Sequence, residues 1–289
     1  MMTGGLMRLV RKNGRNALEW VGSSFARKLG LSLIVIITAL AALAPWVAPF
    51  DPDQTGIPYL PMSWTHLLGT NDMGKDIFSQ LLFAGRNSLL IGLTSAAIAV
   101  VIGVSVGIAA GFQRGVLEDL LMGSTDIFLL IPGLPLMIIL ASYLDPSIWN
   151  IVLVIGLLWW CPVARVVHAR TLQLRESEFV DSARLLGYSN VYIMRKHILP
   201  NVRDVITARF GMAVATGMLA EASLSFLGLG DPFNISWGGM ISEAFNRGGF
   251  TNDMLWWYVP PGIMLLLSIV GFVLLGLSLD RNDSRVEAL

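Results

Sequence analysis

Two acidic side chains lie inside long apolar stretches of the sequence. Glu221 is embedded in LAEASLSFLGLG, and Asp126 lies within the apolar run that starts near Leu120. An acid at membrane depth is costly, so each is by default a candidate proton or substrate site. Glu221 has a structural alternative, a polar contact with Ser223, Ser225 or a neighbouring helix. Asp126 is placed to stabilise the N-terminal end of its helix dipole, and we favour the structural interpretation for both acids.

No catalytic or metal-binding motif is apparent. The cysteine Cys161 lies alone in the apolar sequence WWCP, so it can form neither an internal disulfide nor a zinc or redox motif. The patterns G-x-x-x-x-G-K-[ST] and H-E-x-x-H are both absent. We therefore expect no ATP, metal or cofactor to be bound by this chain, and no enzymatic activity of its own. The scattered histidines, for which we expect no metal site, are His66, His168 and His197.

The composition is that of a membrane protein. Of the 289 residues, 54% are hydrophobic and only 14% are charged, whereas soluble domains carry about 25% charged residues. The formal net charge is zero, which argues against nucleic-acid binding driven by bulk positive charge. We therefore expect a lipid bilayer around the chain and no nucleic acid among its partners.

Six apolar stretches are long enough to cross a bilayer, which takes roughly 20 residues per helix. We predict an all-α membrane protein with the third helix kinked by Pro132 and Pro135. The six predicted transmembrane helices cover residues 29–50, 87–112, 120–143, 148–167, 205–229 and 254–279. The remaining segments are the termini 1–28 and 280–289, the outer loops 51–86 and 230–253, and the cytoplasmic loop 168–204.

The basic residues indicate which way the chain crosses the membrane. The side that holds both termini carries 17 Lys and Arg residues, against 3 on the other side. The positive-inside rule then places the N- and C-termini in the cytoplasm and the protein in the cell membrane. Segment 1–28 is followed by an apolar run too long for a cleavable signal peptide. Six tryptophans are expected at or beyond the outer interface: Trp46, Trp64, Trp149, Trp237, Trp256 and Trp257.

Glycines recur along the second predicted helix. Gly103 and Gly107 are four residues apart, with Gly92 and Gly111 further along the same segment. Small residues at this spacing let two membrane helices approach closely. We interpret them as helix-packing positions and not as a phosphate-binding loop.

The polar stretch from Glu176 to Pro200 interrupts the apolar pattern. Helical spacing of its apolar residues predicts a short helix that starts near Ser177. Gly187 is placed to end that helix with left-handed backbone, and Ser189 or Asn190 can cap a second helix. The apolar side chains need a covering surface, either a partner protein or lipid headgroups. The residues alone do not choose between these two.

The spacing of this stretch resembles the EAA motif of ATP-binding-cassette (ABC) importer permeases, E-A-A-x3-G-x9-I-x-L-P. Three departures occur, because Asp181 replaces Glu, Ser182 replaces Ala, and His197 takes the isoleucine position with Ile198 beside it. The positions that match are Ala183 in the third place, Gly187 in the seventh, and Leu199 and Pro200 in the nineteenth and twentieth.

Other stretches resemble one branch of that family. The segment from His66 to Gly92 is similar to the outer-loop signature of peptide and nickel importer permeases, H-P-L-G-T-D-x-x-G-R-D. Leu67 stands in place of its proline and Lys75 in place of its arginine. EASLSFLGLG and the subsequent WGGMI also resemble that branch. The resemblance covers nearly the whole chain, and the order of elements suits the "C" type of the two paired permease subunits.

The resemblance implies that this chain forms half of a translocation pathway for peptides, nickel or metal chelates. The implied partners are a second homologous permease subunit, two ATP-binding subunits that hydrolyse ATP with Mg, and an extracytoplasmic substrate-binding protein. The family's cytoplasmic helix docks into a cleft on an ATP-binding subunit, with Asp181 and Arg184 at the rim of this contact. The docking residues implied are Phe179, Val180, Asp181, Ala183, Arg184, Leu186, Gly187, Leu199 and Pro200.

Two other classes of protein remain as alternatives. A proton-coupled secondary transporter would use Glu221 and Asp126, although such proteins often carry internal repeats and none is clear here. A purely structural membrane scaffold would use neither acid.

Overall fold

The computed structural model describes residues 25–286 as an assembly of helices. Over that range no β-strand forms, and one isolated bridge joins Thr70 to Asp76. The predicted all-α fold class is therefore confirmed. Most of the basic residues of the predicted N-terminal segment precede residue 25, and residues 287–289 also lie outside the described range.

The helices are joined by short connections, apart from the longer segments 48–76 and 227–236. Five segments are long and apolar enough to cross a membrane, and a bent pair of helices gives a sixth. In chain order the helices are α1 (Phe25–Ala42), α2 (Ala44–Val47), α3 (Ile77–Gln113), α4 (Val116–Leu130), α5 (Gly133–Ser142), α6 (Ile148–Leu158), α7 (Cys161–Arg175), α8 (Glu178–Leu185), α9 (Asn190–Ile193), α10 (Leu199–Asn201), α11 (Arg203–Phe226), α12 (Trp237–Asn246) and α13 (Leu255–Val286). The spans are α1, α3, α6 with α7, α11 and α13 to Leu279, and the bent pair is α4 with α5.

The third predicted span is broken, where the sequence predicted one kinked helix over 120–143. Helices α4 and α5 meet at 85°, with Ile131 and Pro132 in extended conformation between them. A proline has no backbone N–H and keeps the preceding residue out of the helical region. The pair therefore separates into two helices at Pro132.

Helix α3 starts well before the predicted residue 87, within the segment predicted as an outer loop. Asp76 caps its first turn, because one carboxylate oxygen accepts hydrogen bonds from the Ser79 backbone N–H at 2.8 Å and the Ser79 hydroxyl at 2.7 Å. The other oxygen lies 2.9 Å from His66 Nδ1. The outer-loop signature of the sequence thus begins at His66 and ends at Asp76, and these two residues together fix the start of α3.

The predicted outer loop 230–253 contains helix α12, which the sequence analysis did not find. Trp237 opens this helix and is buried, and its indole N–H donates to the Leu81 carbonyl at 3.0 Å. Trp257 is also buried, so these two tryptophans pack within the protein and do not face lipid. Trp46 and Trp149 are exposed. A tryptophan is placed inside here because its large apolar ring gains more from core packing than from an interface.

The other helix ends differ from the predicted bounds by several residues. Helix α7 continues to Arg175 instead of ending at 167, because its extra turns still pack on α3. Helix α1 covers 25–42 instead of 29–50. Arg27 therefore lies inside a helix and is buried, with its guanidinium donating to the Ser278 carbonyl of α13 at 3.0 Å.

The core of the bundle is the close contact between α3 and α7. A Cβ atom built on Gly103 would lie 2.7 Å from the Trp160 carbonyl oxygen, and one on Gly107 would lie 2.6 Å from the Ala164 carbonyl oxygen. Both distances are shorter than any normal contact, so the backbones meet only because these side chains are absent. The predicted packing function of the glycines is confirmed.

We expect Gly107→Val to destabilise the chain by about 1–3 kcal/mol, because the added methyl groups collide with α7 backbone. The measurement is the thermal unfolding midpoint of the purified full chain in detergent. Gly123→Val is the matched control, since a Cβ at Gly123 in α4 meets no described atom within 4 Å. Equal midpoints for the two variants would contradict the packing argument.

Candidate functional site

Residues 176–200 fold into a helical hairpin at the end of α7, which we call the hairpin. Ser177 takes the N-cap position of α8, and Gly187 comes after that helix with φ of +80°. Ser189 caps α9, its hydroxyl accepting from the Tyr192 backbone N–H at 3.3 Å. The predicted helix ends are confirmed at all three positions.

The inner side of the hairpin packs on the membrane bundle. Val180 is fully buried and Ala183 is 4% exposed, and both share an apolar cluster with Phe112, Ile193 and Ile198. The sequence analysis placed Val180 and Ala183 on the surface that meets an ATP-binding subunit. Their burial within this chain removes them from any such surface and makes them the anchor of the hairpin.

Charged contacts add to that anchor. Arg114, just after α3, forms an ion pair with Glu176, and the Arg184 guanidinium lies 5.4 Å from the centre of the Phe112 ring. Asp181 accepts from Arg184 at 3.2 Å. Exposed ion pairs contribute little on their own, so the buried apolar cluster is the main attachment of the hairpin to the end of α3.

The outer side of the hairpin is an exposed apolar surface, which we call the hairpin ridge. Leu185 is 90% exposed and Leu186 is 75% exposed. The Tyr188 and Tyr192 rings stack with centroids 4.6 Å apart and planes within 13°. A group of exposed apolar side chains on an otherwise polar segment marks a surface for another molecule. The hairpin ridge consists of Phe179, Leu185, Leu186, Tyr188 and Tyr192, all exposed.

Gly187 lies beside the ridge in a backbone conformation that favours glycine. A Cβ at this position would meet no described atom within 4 Å. The requirement for glycine within this chain therefore comes from its positive φ, which costs other residues roughly 1–2 kcal/mol. The open space around it is available to a partner.

The second arm of the hairpin contains a π-helical turn, Met194–Ile198. A π turn holds more residues than an α turn and shifts the register of the residues after it. It places Ile198 in the buried cluster, whereas His197 turns to the aromatic rings of Phe179 and Tyr192, at 6.1 Å and 6.0 Å. His197 occupies the isoleucine position of the EAA pattern, but the neighbouring Ile198 supplies the buried isoleucine instead. Leu199 and Pro200, both exposed, begin α10.

Glu221 is fully buried in α11. The Ser225 hydroxyl donates to its Oε1 at 2.7 Å, and Ser236 at the start of α12 lies nearby. Among the described residues its Oε2 has no hydrogen-bond partner of ordinary geometry. Ser223 instead bonds its own helix, through the Leu219 carbonyl at 2.8 Å. Glu221 therefore contacts the polar start of α12 and is closed to solvent.

Asp126 lies in the second half of α4, so it cannot stabilise the N-terminal dipole of that helix as predicted. It forms an exposed ion pair with Arg165 of α7. The acids in the first turn of α4 are Glu118 and Asp119. Glu118 lies 2.7 Å from His168 Nε2. These pairs tie α4 to α7, and the sequence could not reveal them because the partners are distant in the chain.

A cavity of about 580 Å³ opens at the other end of the bundle. We call this end the loop face, because residues 51–76 and α12 lie there, at the start of α3. The hairpin lies at the end of α3, about 55 Å away for its 37 residues. Glu243 of α12 and Arg86 of α3 both line the cavity. The sequence analysis used Arg86 only as a charge and did not single out Glu243, an acid among the apolar residues of WGGMISEAFN.

Burial raises the pKa of Glu243 above its ordinary value, and the Arg247 guanidinium partly offsets this. Within the described residues no hydrogen bond or ion pair holds the Glu243 carboxylate. The same range contains no group of three or more His, Cys, Asp or Glu side chains arranged to hold a metal ion. The loop face thus presents a partly buried acid on which Arg247 and Lys75 act through space, with no direct ion pair to a described residue.

The apolar helices and their glycine contacts define a multi-pass membrane protein. Residues 103–286 match the family described as "Binding-protein-dependent transport system inner membrane component", and the chain belongs to this family of membrane transport components. Residues 28–63 match the "N-terminal TM domain of oligopeptide transport permease C". The resemblance to the C-type permeases is therefore confirmed.

Similar proteins carry names from peptide transport. A peptide transport system permease protein of Brucella suis is 34% identical over 264 residues, covering 90% of this chain and 88% of that protein. The di/tripeptide transport system permease protein DppC of Pseudomonas aeruginosa is 33% identical over 269 residues, covering 89% of this chain and 88% of that protein. Both relatives therefore align along nearly their full length.

We expect Glu243→Gln to raise the thermal unfolding midpoint of the chain at pH 8. The folded-state pKa of Glu243 lies above its unfolded value, so wild-type stability falls as pH rises through that interval. Glutamine removes this effect, and the difference between variant and wild type should shrink toward zero as the pH falls below the ordinary value. The exposed Asp145→Asn serves as the control. A Glu243→Gln variant that is less stable at every pH would contradict this.

Proposed function

We propose that this chain is one of two membrane subunits of an ABC importer for peptides, and that its hairpin couples the pathway to ATP hydrolysis. The observation that carries the proposal is the hairpin ridge, an exposed apolar surface on a segment anchored to the end of α3. The peptide substrate is supported by the names of the relatives in Brucella and Pseudomonas. Nickel or a metal chelate is the alternative cargo that the sequence resemblance suggests.

In this proposal other subunits bind and hydrolyse ATP, because this sequence lacks a phosphate-binding loop. The chain has no phosphate-binding loop, so ATP and Mg belong to two partner ATP-binding subunits. The hairpin ridge docks into a cleft on one of them. Because Val180 and Ala183 are packed against Phe112, movement of the docked hairpin is transmitted to α3. The chain itself performs no chemistry.

The proposed orientation of the chain in the membrane determines where each partner binds. The hairpin face carries the excess of basic residues and faces the cytoplasm by the positive-inside rule. The loop face then lies outside the cell membrane, where a separate substrate-binding protein delivers its cargo. A second, homologous permease subunit supplies the other half of the pathway. Exposed apolar residues along α4 and α5, such as Leu130 and Ile139, provide surface for that subunit and for lipid.

Leu185→Asp and Leu186→Asp test the docking surface. We expect each to lower co-purification of the ATP-binding subunits by about tenfold, because a buried apolar anchor becomes a desolvated charge. Leu67→Asp is the matched control, an exposed leucine on the loop face. The proposal fails if the ridge variants retain their ATP-binding subunits, or if the control loses them equally.

Two substitutions at Gly187 distinguish the effect of backbone strain from the effect of side-chain size. Gly187→Ala adds only the strain of positive φ, whereas Gly187→Arg also fills the open space beside the ridge. We expect the arginine variant to insert normally but to lose ATP-driven uptake, and the alanine variant to keep most of it. Gly115→Arg is the control, since Gly115 also has positive φ and no described atom within 4 Å of a Cβ. Normal ATP-driven uptake by Gly187→Arg would overturn the docking role.

A proton-coupled carrier remains the second candidate because Glu221 is a fully buried acid within a span. We expect Glu221→Gln to leave uptake dependent on ATP and independent of a proton gradient, since its carboxyl group bonds Ser225. Uptake by wild type that requires a proton gradient without ATP, and is lost in Glu221→Gln, would favour the carrier. The measurement is peptide uptake into proteoliposomes with ATP and the gradient supplied separately.

A further inference from the structure

The loop-face cavity has the size and lining of a ligand site. Its volume of about 580 Å³ lies within the range of about 300–1,000 Å³ typical of small-molecule sites. Its wall combines apolar side chains, including Phe83, Leu90 and Phe233, with several charged ones. Apolar walls of this kind accept varied side chains, whereas the charges determine orientation.

Most of the charged groups around the cavity are already neutralised. Lys75 Nζ lies 2.8 Å from Asp53 Oδ1, and Arg247 lies 2.6 Å from Asp72. Among the described residues Asp51 has no ion pair and accepts only a backbone hydrogen bond, from the Asp53 N–H at 2.9 Å, but it is exposed to solvent. These contacts are complete without a ligand.

Two further lining charges, of opposite sign, have no ion pair within the described chain either. Glu243 has no hydrogen bond or ion pair with any described residue. Arg86 contacts the Phe83 ring at 6.0 Å and forms no ion pair within the described range. The two side chains come from different helices, α12 and α3, so they approach the cavity from different walls. Glu243 is therefore a partly buried acid of the cavity wall without an ion pair to the described chain, and Arg86 is a lining base without one.

We propose that this cavity receives the transported peptide as a zwitterion, with the peptide's α-ammonium group bound by Glu243 and its α-carboxylate bound by Arg86. This rests on the proposed function, because it assumes that the loop face meets a peptide delivered from outside. Charge-assisted hydrogen bonds of this kind are the stronger class. A partly buried carboxylate without a partner is costly, and an ammonium group would remove that cost.

A second cavity continues from the first. It has a volume of about 310 Å³ and shares Pro232, Ile235 and Glu243 with the larger cavity. Ser225, the hydrogen-bond donor to Glu221, is among its other lining residues. Glu243 thus lies at the junction, where it holds the ammonium end before the peptide moves toward α11.

The test compares variants with wild type for each peptide separately, so that the selectivity of the substrate-binding protein cancels. The complete importer in proteoliposomes is given alanyl-alanine, its N-acetyl form and its C-amide. We expect Glu243→Gln to reduce uptake of alanyl-alanine and its amide by about tenfold, and of the acetyl form by less than about twofold. Arg86→Gln should spare only the amide. Glu243→Asp and Arg86→Lys should restore part of the loss.

A labelling experiment gives an independent reading. The native thiol Cys161 is buried, so Leu90→Cys, at a lining residue that is neither of the two proposed peptide ligands, adds the reactive position. We expect a thiosulfonate reagent to modify it more slowly when the binding protein is loaded with alanyl-alanine than when it is empty. Equal rates would overturn the proposal, as would equal uptake losses for all three peptides. Asp145→Asn, an exposed acid on the same face, controls for long-range charge.

The outcomes separate this inference from the proposed function. Failure of wild type to import alanyl-alanine with ATP would count against the peptide importer itself. Normal import by wild type together with unchanged variants would overturn only the zwitterion site. A weaker affinity of the variants for the substrate-binding protein, equal for all peptides, would assign the cavity to protein docking instead and would also overturn the zwitterion site.

Discussion

The close approach of α3 and α7 is the contact on which the other features depend. At Gly103, Gly107 and Gly111 the two helices meet with no side chain on one partner, so their relative position is set by backbone and β-carbon contacts. Such contacts are stiff because a packed backbone has no rotamer to relieve a clash. The position of α7 then determines where the hairpin begins. Phe112, one residue after the last of these glycines, completes the link by receiving Val180 and Ala183.

Differences in burial explain why the acids behave differently along the chain. Asp126 and Arg165 pair at an exposed position, where water already solvates both charges and the pair adds little. Glu221 is fully buried, and its hydroxyl partner Ser225 lies one turn later on the same helix. Its hydrogen bond is therefore made within α11, beside Ser236 at the start of α12. Glu243 differs from both, since it is partly buried yet open to a cavity.

Features that depend on neighbouring residues could be predicted from the sequence, whereas contacts between residues distant in the chain could not. The ends of α8 and α9 were predictable from Ser177, Gly187 and Ser189, because caps depend on neighbouring residues only. Glycine spacing likewise predicted the packing side of α3. Helix α12 escaped prediction because its burial comes from distant partners such as Leu81. The placement of Arg86 and Glu243 on one cavity was unreadable for the same reason, since the fold alone brings these residues together.

Helix α3 carries the cavity residue Arg86 near one end and the hairpin contact Phe112 near the other. At 1.5 Å per residue these positions are about 39 Å apart along one uninterrupted helix. A rod of that length acts as a lever arm. Each end lies about 20 Å from the middle, since the rise per residue sets the length. A tilt of about 5° about the middle would therefore displace each end by about 2 Å, in opposite directions. Such a displacement is enough to make or break a hydrogen bond, so the two faces need no relay of side chains between them.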